Sequence, residues 1–532
     1  MPIRFPSKSR TAVEALPSRT AWRPTPATLL TLLALVTLSI AACGPSGDGG
    51  GDGAPASNAV LLPVPSDPTV TFMVWLDVGS SDDPAGKEGL AALTGALIAG
   101  GATENRSYEQ ILEQLYPIAS SYNVRVDKEM TTLSGRTHRD NLELFYELFS
   151  DAYLRPAFDA SDFERLKSDQ KNAIETGLRY ADDEELGKAA LQHFVFEGTP
   201  YAHPVQGTVK GLDSITLDEV KAFYQQYYTA ANARVALGGG FDDALLQRFE
   251  ASLESLPAGG DPPPPSIEAQ PIEGRSALLV AKPGADASIS FGFPVGVSRG
   301  EDDFYALWVA NSWLGEHRNS SSHLYQVIRE TRGMNYGDYS YIEAFPEGGR
   351  RQMPPTNVGR SHQLFEIWIR TLPNEQAIFA LRAALRELES LISGGLDEEE
   401  FQLTRSFLEK YHLHFADTTS SRLGYRVDDA FYQIGGDGHL ARFGAKMRQL
   451  TREQVNAAVT KHLQSENMKI AIVTGAAEEL AKGLASGEPT PITYANPKSA
   501  EVLAEDEEIA SYPLGLAADA VSTVKVEEIF EQ

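Results

Sequence analysis

At 532 residues and 42% hydrophobic side chains, the chain has material for several cores, either three or four domains of ordinary size or two larger ones. Its net charge of −27 is spread without long single-sign runs, which argues against a nucleic-acid partner and against an anionic bilayer as a seat for the body. A single cysteine, Cys43, excludes disulfides within the chain.

The N-terminus carries Arg4, Lys8, Arg10, Arg19 and Arg23, then the apolar run Leu29 to Leu38, then Ser39-Ile40-Ala41-Ala42-Cys43. A basic region, a short apolar core and small residues before a cut make residues 1–42 a secretion signal, too short in its apolar part to span a bilayer. Ile40-Ala41-Ala42-Cys43 resembles a bacterial lipobox, which implies lipidation of Cys43. Gly44 after it, in place of Asp, implies the outer membrane rather than retention at the inner one. The expected location is therefore the periplasmic face of the outer membrane, with residues 43–57, rich in Gly, Pro, Ser, Asp and Ala, as a flexible tether.

Beyond the tether, Thr69 to Val78 alternates as a strand, with Val70, Phe72 and Val74 on one side. Residues 78–91 lead into a helix expected over Lys87 to Ile98, which contains the pentad Ala92-Leu93-Thr94-Gly95-Ala96. Tyr122 to Thr137 has the pattern of paired strands, and Arg139 to Tyr153 that of an amphipathic helix. Pro257-Ala258-Gly259-Gly260-Asp261-Pro262-Pro263-Pro264-Pro265 suits neither a helix nor a central strand, so residues 257–274 are expected to link two domains. From Gly487 onward the chain is an acidic tail, with Glu501, Glu505, Asp506, Glu507 and Glu508. It ends in an apolar pattern, Val521 to Phe530, suited to docking on the body.

The segments flanking the linker repeat. Thr216–Gly240 aligns with Thr451–Gly475 without a gap, matching Thr216/Thr451, Val220/Val455, Ala222/Ala457, Asn232/Asn467, Ala236/Ala471 and Gly240/Gly475. Upstream, Phe163 matches Phe401, Leu186-Gly187 matches Leu423-Gly424, and Phe194 matches Phe431 at nearly the same offset. One spacing held over so long a span indicates duplication: two homologous α/β halves, 58–256 and 275–486, with the linker between them and the tail 487–532 after them.

The lead-in Val78-Gly79-Ser80-Ser81-Asp82-Asp83-Pro84-Ala85-Gly86-Lys87-Glu88-Gly89-Leu90-Ala91, the run Gly198 to Thr208, and the repeat itself resemble the insulinase/pitrilysin family over roughly Val60 to Leu484. The resemblance implies an α+β fold in which each half is a mixed, mostly antiparallel sheet with packed helices, as in the mitochondrial processing peptidase. It also implies an inverted zinc pentad, H-x-x-E-H, at the position of Ala92 to Ala96. Ala92 and Ala96 have no lone pair for a metal and Gly95 accepts no proton. The family's third ligand, a Glu, falls near Asn172. No metal is expected on this chain. His203, and the pair His412 and His414, read as structural or surface histidines rather than ligands.

In the second half, His323 to Tyr336 is similar to the family's helix and turn carrying an Arg and, seven residues on, a Tyr, here Arg329 and Tyr336. The resemblance implies that they help hold substrate and its developing oxyanion; a guanidinium and a phenol are suitable donors. Without it, a helical Arg is commonly a surface ion pair and a Tyr in a turn commonly packs. The strand around Asn123, Val124 and Arg125 resembles the family's substrate-pairing edge strand. It is equally readable as an ordinary sheet strand, or as a site of strand addition.

An Arg/Tyr half without a zinc half implies the second subunit of a heterodimer: no cofactor on this chain, zinc in an H-x-x-E-H partner, and short or unfolded peptides as substrates. Peptidase activity is expected only with that partner. The rival readings are a purely structural envelope protein, a peptide-binding lipoprotein, and an active enzyme with unrecognised ligands.

Overall fold

The computed structural model describes residues 59–260, 263 and 267–531. The segments expected as secretion signal (1–42) and tether (43–57), with Cys43, and most of the four-proline run lie outside the described residues. Strands form where β-branched and aromatic residues alternate or run together, and they assemble into two sheets. The first contains β1 (Val60–Pro63), β2 (Thr69–Leu76), β3 (Ser121–Val126), β4 (Thr131–His138) and β5 (Ala233–Gly239), in the order β1-β5-β2-β4-β3. The second contains β6 (Arg275–Ala281), β7 (Ala287–Val295), β8 (Asp338–Tyr341), β9 (Gln363–Leu372), β10 (Met468–Thr474) and β11 (Val521–Lys525), in the order β11-β6-β10-β7-β9-β8. β1 lies parallel to β5 and β6 parallel to β10, and the remaining pairs of the shared five-strand plan are antiparallel. The same plan therefore occurs twice.

The aligned repeat Thr216–Gly240 and Thr451–Gly475 is helix, turn and central strand in both copies. The helices Leu217–Tyr227 and Arg452–His462 each open on a reciprocal cap, Thr216 with Glu219 and Thr451 with Gln454. Each cap satisfies two of the backbone donors that a helix start leaves orphaned. The strands that follow, β5 and β10, are buried almost throughout.

The halves exchange helices. Asp183–Val195, from the first half, packs on β7 and β10, while Thr419–Phe431, from the second, packs on β1 and β5. Close approach needs small residues in the contact: a Cβ on Gly238 of β5 would stand 3.3 Å from Leu423 and 3.4 Å from Thr419. Leu186, Leu191, Leu423 and Val427 are fully buried there, each contributing about 1.5–3 kcal/mol of apolar transfer. Residues 59–531 consequently belong to one compact unit.

Two local expectations shift. The first helix, α1, runs over Leu90–Gly100 rather than from Lys87, because Gly89 takes a left-handed φ of 107°. The helix after β4 begins at Leu142, behind a short 3-10 turn at Arg139–Asn141. The acidic C-terminal segment folds onto the body. Glu505 and Asp506 pair with Arg332 at 2.7 and 2.8 Å, and β11 joins β6 in parallel. Val526, Ile529 and Phe530 are buried, as the apolar pattern Val521 to Phe530 suggested.

Candidate functional site

Helix α1 is apolar on nearly every face, with Leu90, Ala91, Leu93, Thr94, Gly95, Leu97 and Ile98 buried. Its N-terminus is held from a distance: the Asp83 carboxyl accepts the Gly89 and Ala91 amides, each at 2.7 Å. Burial pushes Asp83 up to about 8, against the pull of those amides and of Lys128. Gln170 braces the same turn, donating to the Gly89 carbonyl at 3.0 Å and the Gln206 carbonyl at 2.8 Å.

Gly95 faces β3. A Cβ there would lie 2.8 Å from Val124 Cγ1 and 2.9 Å from Val126 Cγ2. The place of a general base is thus taken by a helix–strand contact as well as lacking the side chain. Ala92 and Ala96 are partly buried methyl groups. Asn172 is exposed at the end of the helix Ala160–Asn172, and its Oδ1 accepts from Thr176 at 2.8 Å. Among the described residues, no three His, Cys, Asp or Glu side chains gather where they could hold a metal. The donor set at this position does not fit zinc. His203 is buried, its Nδ1 2.9 Å from the Pro204 carbonyl, and burial pushes it down to about 3, so its ring is neutral. His412 packs on Phe443.

Between the halves lies a cavity of about 900 Å³. Its first-half wall includes Asn123, Val124, Arg125 and Val126 of β3, and Gly177 and Leu178 of a π-helical stretch, Ala173–Ala181. Its second-half wall comes from residues between Glu343 and Glu366 and from Ser420 and Ser421. β3 is the edge of its sheet. The turn bond from the Asp127 amide to the Met130 carbonyl (2.8 Å) sets the alternation of the ladder, so the backbone groups of Tyr122, Val124 and Val126 point away from β4.

No local pattern of residues announces the network that joins the halves at this cavity. Asp127, Lys128 and Glu129 resemble an ordinary polar hairpin turn, yet all three are buried. Asp127 pairs with Arg360 at 2.6 Å. Lys128 donates to the His203 carbonyl, and burial and the Arg360 charge push its amine down to about 7, against Asp127 and Asp83. Glu129 accepts from Tyr201 and, at 2.6 Å, from Ser361. The partners are as many as 233 residues apart in sequence, so no local pattern marks them.

Arg329 and Tyr336 meet. Arg329 lies on a π-helical turn, Tyr325–Glu330, with its guanidinium 5.7 Å from the centre of the Tyr336 ring. Tyr336 is 77% exposed, and neither residue lines the cavity. The structure therefore brings these two together, and separately brings Asn123, Val124 and Arg125 to the cavity wall.

Known proteins supply the frame. The family description "Insulinase (Peptidase family M16)" matches residues 59–208, and "Peptidase M16 inactive domain" matches residues 214–408, together more than half of the chain. An uncharacterised zinc protease of Streptomyces coelicolor is 25% identical over 350 residues, 63% of this chain and 70% of that protein. A "non-peptidase homolog" of Helicobacter pylori is 22% identical over 411 residues, 74% of this chain and 87% of that protein. The crystal structure of a peptidase M16 inactive domain from Pseudomonas fluorescens superimposes with a TM-score of 0.68 at 24% identity, covering 78% of this chain and 95% of that one. By these matches and its doubled sheet plan, the chain belongs to the insulinase family, as a member without the zinc-binding pentad.

Proposed function

We propose that this chain is the non-zinc subunit of a two-subunit insulinase-family peptidase of the cell envelope. Arg329 and Tyr336 complete the zinc site of an H-x-x-E-H partner that degrades short or unfolded peptides. The observation that carries this reading is the Arg329–Tyr336 contact, with the tyrosine 77% exposed and the pair outside the chain's own cavity. Donors meant to act on a substrate held by another chain must be reachable from outside, and a guanidinium over the ring orients the phenol without consuming its hydroxyl. The pentad Ala92 to Ala96, closed against β3, supports a partner-dependent role, and so does kinship with a relative named a non-peptidase homolog. Lipidation at Cys43 and a position on the periplasmic face of the outer membrane belong to the proposal on the strength of the sequence alone.

The test is an affinity pull-down of the tagged chain from detergent-solubilised envelopes, with mass spectrometry and a quenched-peptide assay on the eluate. Near-equal recovery of an H-x-x-E-H chain, with cleavage abolished by chelation and by Arg329→Ala, supports the proposal. A chain that elutes alone and inert overturns it.

A second reading is peptide capture without hydrolysis. It is favoured by the cavity beside β3, whose outward backbone groups can accept an extended chain as a further strand. Binding of labelled extended peptides by the isolated chain tests it.

A further inference from the structure

Arg125 stands in the cavity wall with its buried Nε unmatched. It sits on β3 between Val124 and Val126, the two residues whose backbone groups point away from β4. Those valines pack beneath α1 at Gly95, so Arg125, one residue out of phase, projects from the opposite face of the sheet. Its Nε is shut away from solvent without a hydrogen-bond partner, and among the described residues its guanidinium makes no ion pair.

The cavity wall carries acids and bases in equal number, six of each, and two of the bases that act on Arg125 are already paired. Arg360 is committed to Asp127 at 2.6 Å, and Arg351 to Glu347 at 2.7 Å. Arg350, exposed and also on the cavity wall, has no ion pair among the described residues. Burial, with the charges of Arg351 and Arg360, pushes the Arg125 guanidinium down against the pull of Asp127 and Glu347. Glu343, a nearby acid of the opposite wall, is held by Arg299 at 2.8 and 2.9 Å. The Arg125 Nε, cut off from water without an acceptor, works against the fold unless a ligand supplies one.

We infer that Arg125 is the seat of a carboxylate carried by an extended peptide on the free edge of β3, in a cavity whose wall also carries Arg350. This deepens the peptide-capture reading and rests on it. The planar guanidinium matches a carboxylate through two parallel hydrogen bonds, and the backbone groups that would fix the peptide belong to the residues directly flanking Arg125. The carboxylate has two sources, an acidic side chain or the peptide's own C-terminus.

The experiment uses the full mature chain and three fluorescein-labelled nonapeptides of alternating Val and Thr. One has a central Glu and an amidated end, one a central Gln and an amidated end, and one a central Gln and a free C-terminal carboxylate. Fluorescence anisotropy is measured for wild type, Arg125→Gln and Arg125→Lys. At least one carboxylate peptide should bind about tenfold tighter than the neutral one, and which of them does so identifies the source. Arg125→Gln should abolish the preference, Arg125→Lys should keep part of it, and the melting midpoint of Arg125→Gln should equal or exceed that of wild type. Equal binding of all three peptides by wild type overturns the carboxylate seat and leaves peptide capture standing, whereas binding of none overturns both. Arg125-dependent binding of inorganic phosphate without preference among the peptides also overturns it, as does a midpoint lowered by Arg125→Gln.

Discussion

The Asp127 carboxylate, on the β3–β4 turn of the first half, lies 2.6 Å from Arg360 Nε of the second half, and both side chains are buried. Burial works against the charged Asp127, and the Arg360 guanidinium outweighs it, holding the carboxyl below its ordinary value. Replacing either partner strands the other charge in the interior. Asp127→Ala or Arg360→Met should each cost about 3–5 kcal/mol, measured as a lowered urea midpoint. The double replacement should cost less than the sum of the two. Because the folded value of Asp127 is depressed, its contribution is present above the unfolded value and is lost as pH falls through the folded one.

Restoring the pentad should not restore a zinc site. Ala92→His, Gly95→Glu and Ala96→His together introduce ligand types, but a side chain at residue 95 must push β3 away from α1. Overpacking of this kind costs about 1–3 kcal/mol. The triple variant should melt below wild type and show no stoichiometric zinc by elemental analysis. Stoichiometric zinc in the variant would contradict the closed helix–strand contact.

His317 should give the protein an acid-side weakness. Its Nδ1 meets the Tyr341 hydroxyl at 2.8 Å and its Nε2 the Arg351 carbonyl at 2.9 Å, partners that a neutral ring satisfies by donating from Nε2 and accepting at Nδ1. Burial first, then the charges of Lys188, Arg318 and Arg370, push it down to about 4. Between that value and the unfolded value of about 6.5, the unfolded chain binds more protons. Stability from this group is therefore full above the unfolded value and falls by up to about 1.4 kcal/mol per pH unit on acidification. Chemical denaturation at pH 6.5, 5.5 and 4.5 should show a shallower slope for His317→Gln than for wild type.

The exchanged helix Thr419–Phe431 should carry much of the cohesion between the halves. Leu423 is fully buried against β5, so Leu423→Ala should cost about 2–5 kcal/mol. Hydrogen exchange should show faster opening of β1 and β5 in that variant. Unchanged protection of both strands would mean that the halves do not depend on the exchange.

The C-terminal segment should act as a clasp. Glu531 accepts from Arg179 at 2.7 Å and from the amides of Val209 and Lys210 at 2.9 Å each, while β11 is paired to β6 of the other half. Glu531→Ala leaves the buried Arg179 with a single acceptor, the Ile529 carbonyl at 2.9 Å. It should cost about 1–3 kcal/mol, with increased proteolysis around residues 205–215 as a second readout.

The sequence by itself determined the doubled fold. Local alternation marks β2, and the gapless match from Thr216 to Gly240 and from Thr451 to Gly475 depends on chain-local spacing alone. It also determined that Ala92, Gly95 and Ala96 cannot bind a metal, because that follows from side-chain chemistry without coordinates. The tertiary structure decided which charges are answered. Asp127 finds Arg360 across 233 residues, Glu531 finds Arg179 across 352, and the buried Nε of Arg125, on the same short strand as Asn123 and Val124, finds no hydrogen-bond acceptor among the described residues. It also separated Arg329 and Tyr336 from the cavity that β3 lines. Burial and long-range pairing depend on how the two halves close on each other, and neighbouring residues carry no record of that.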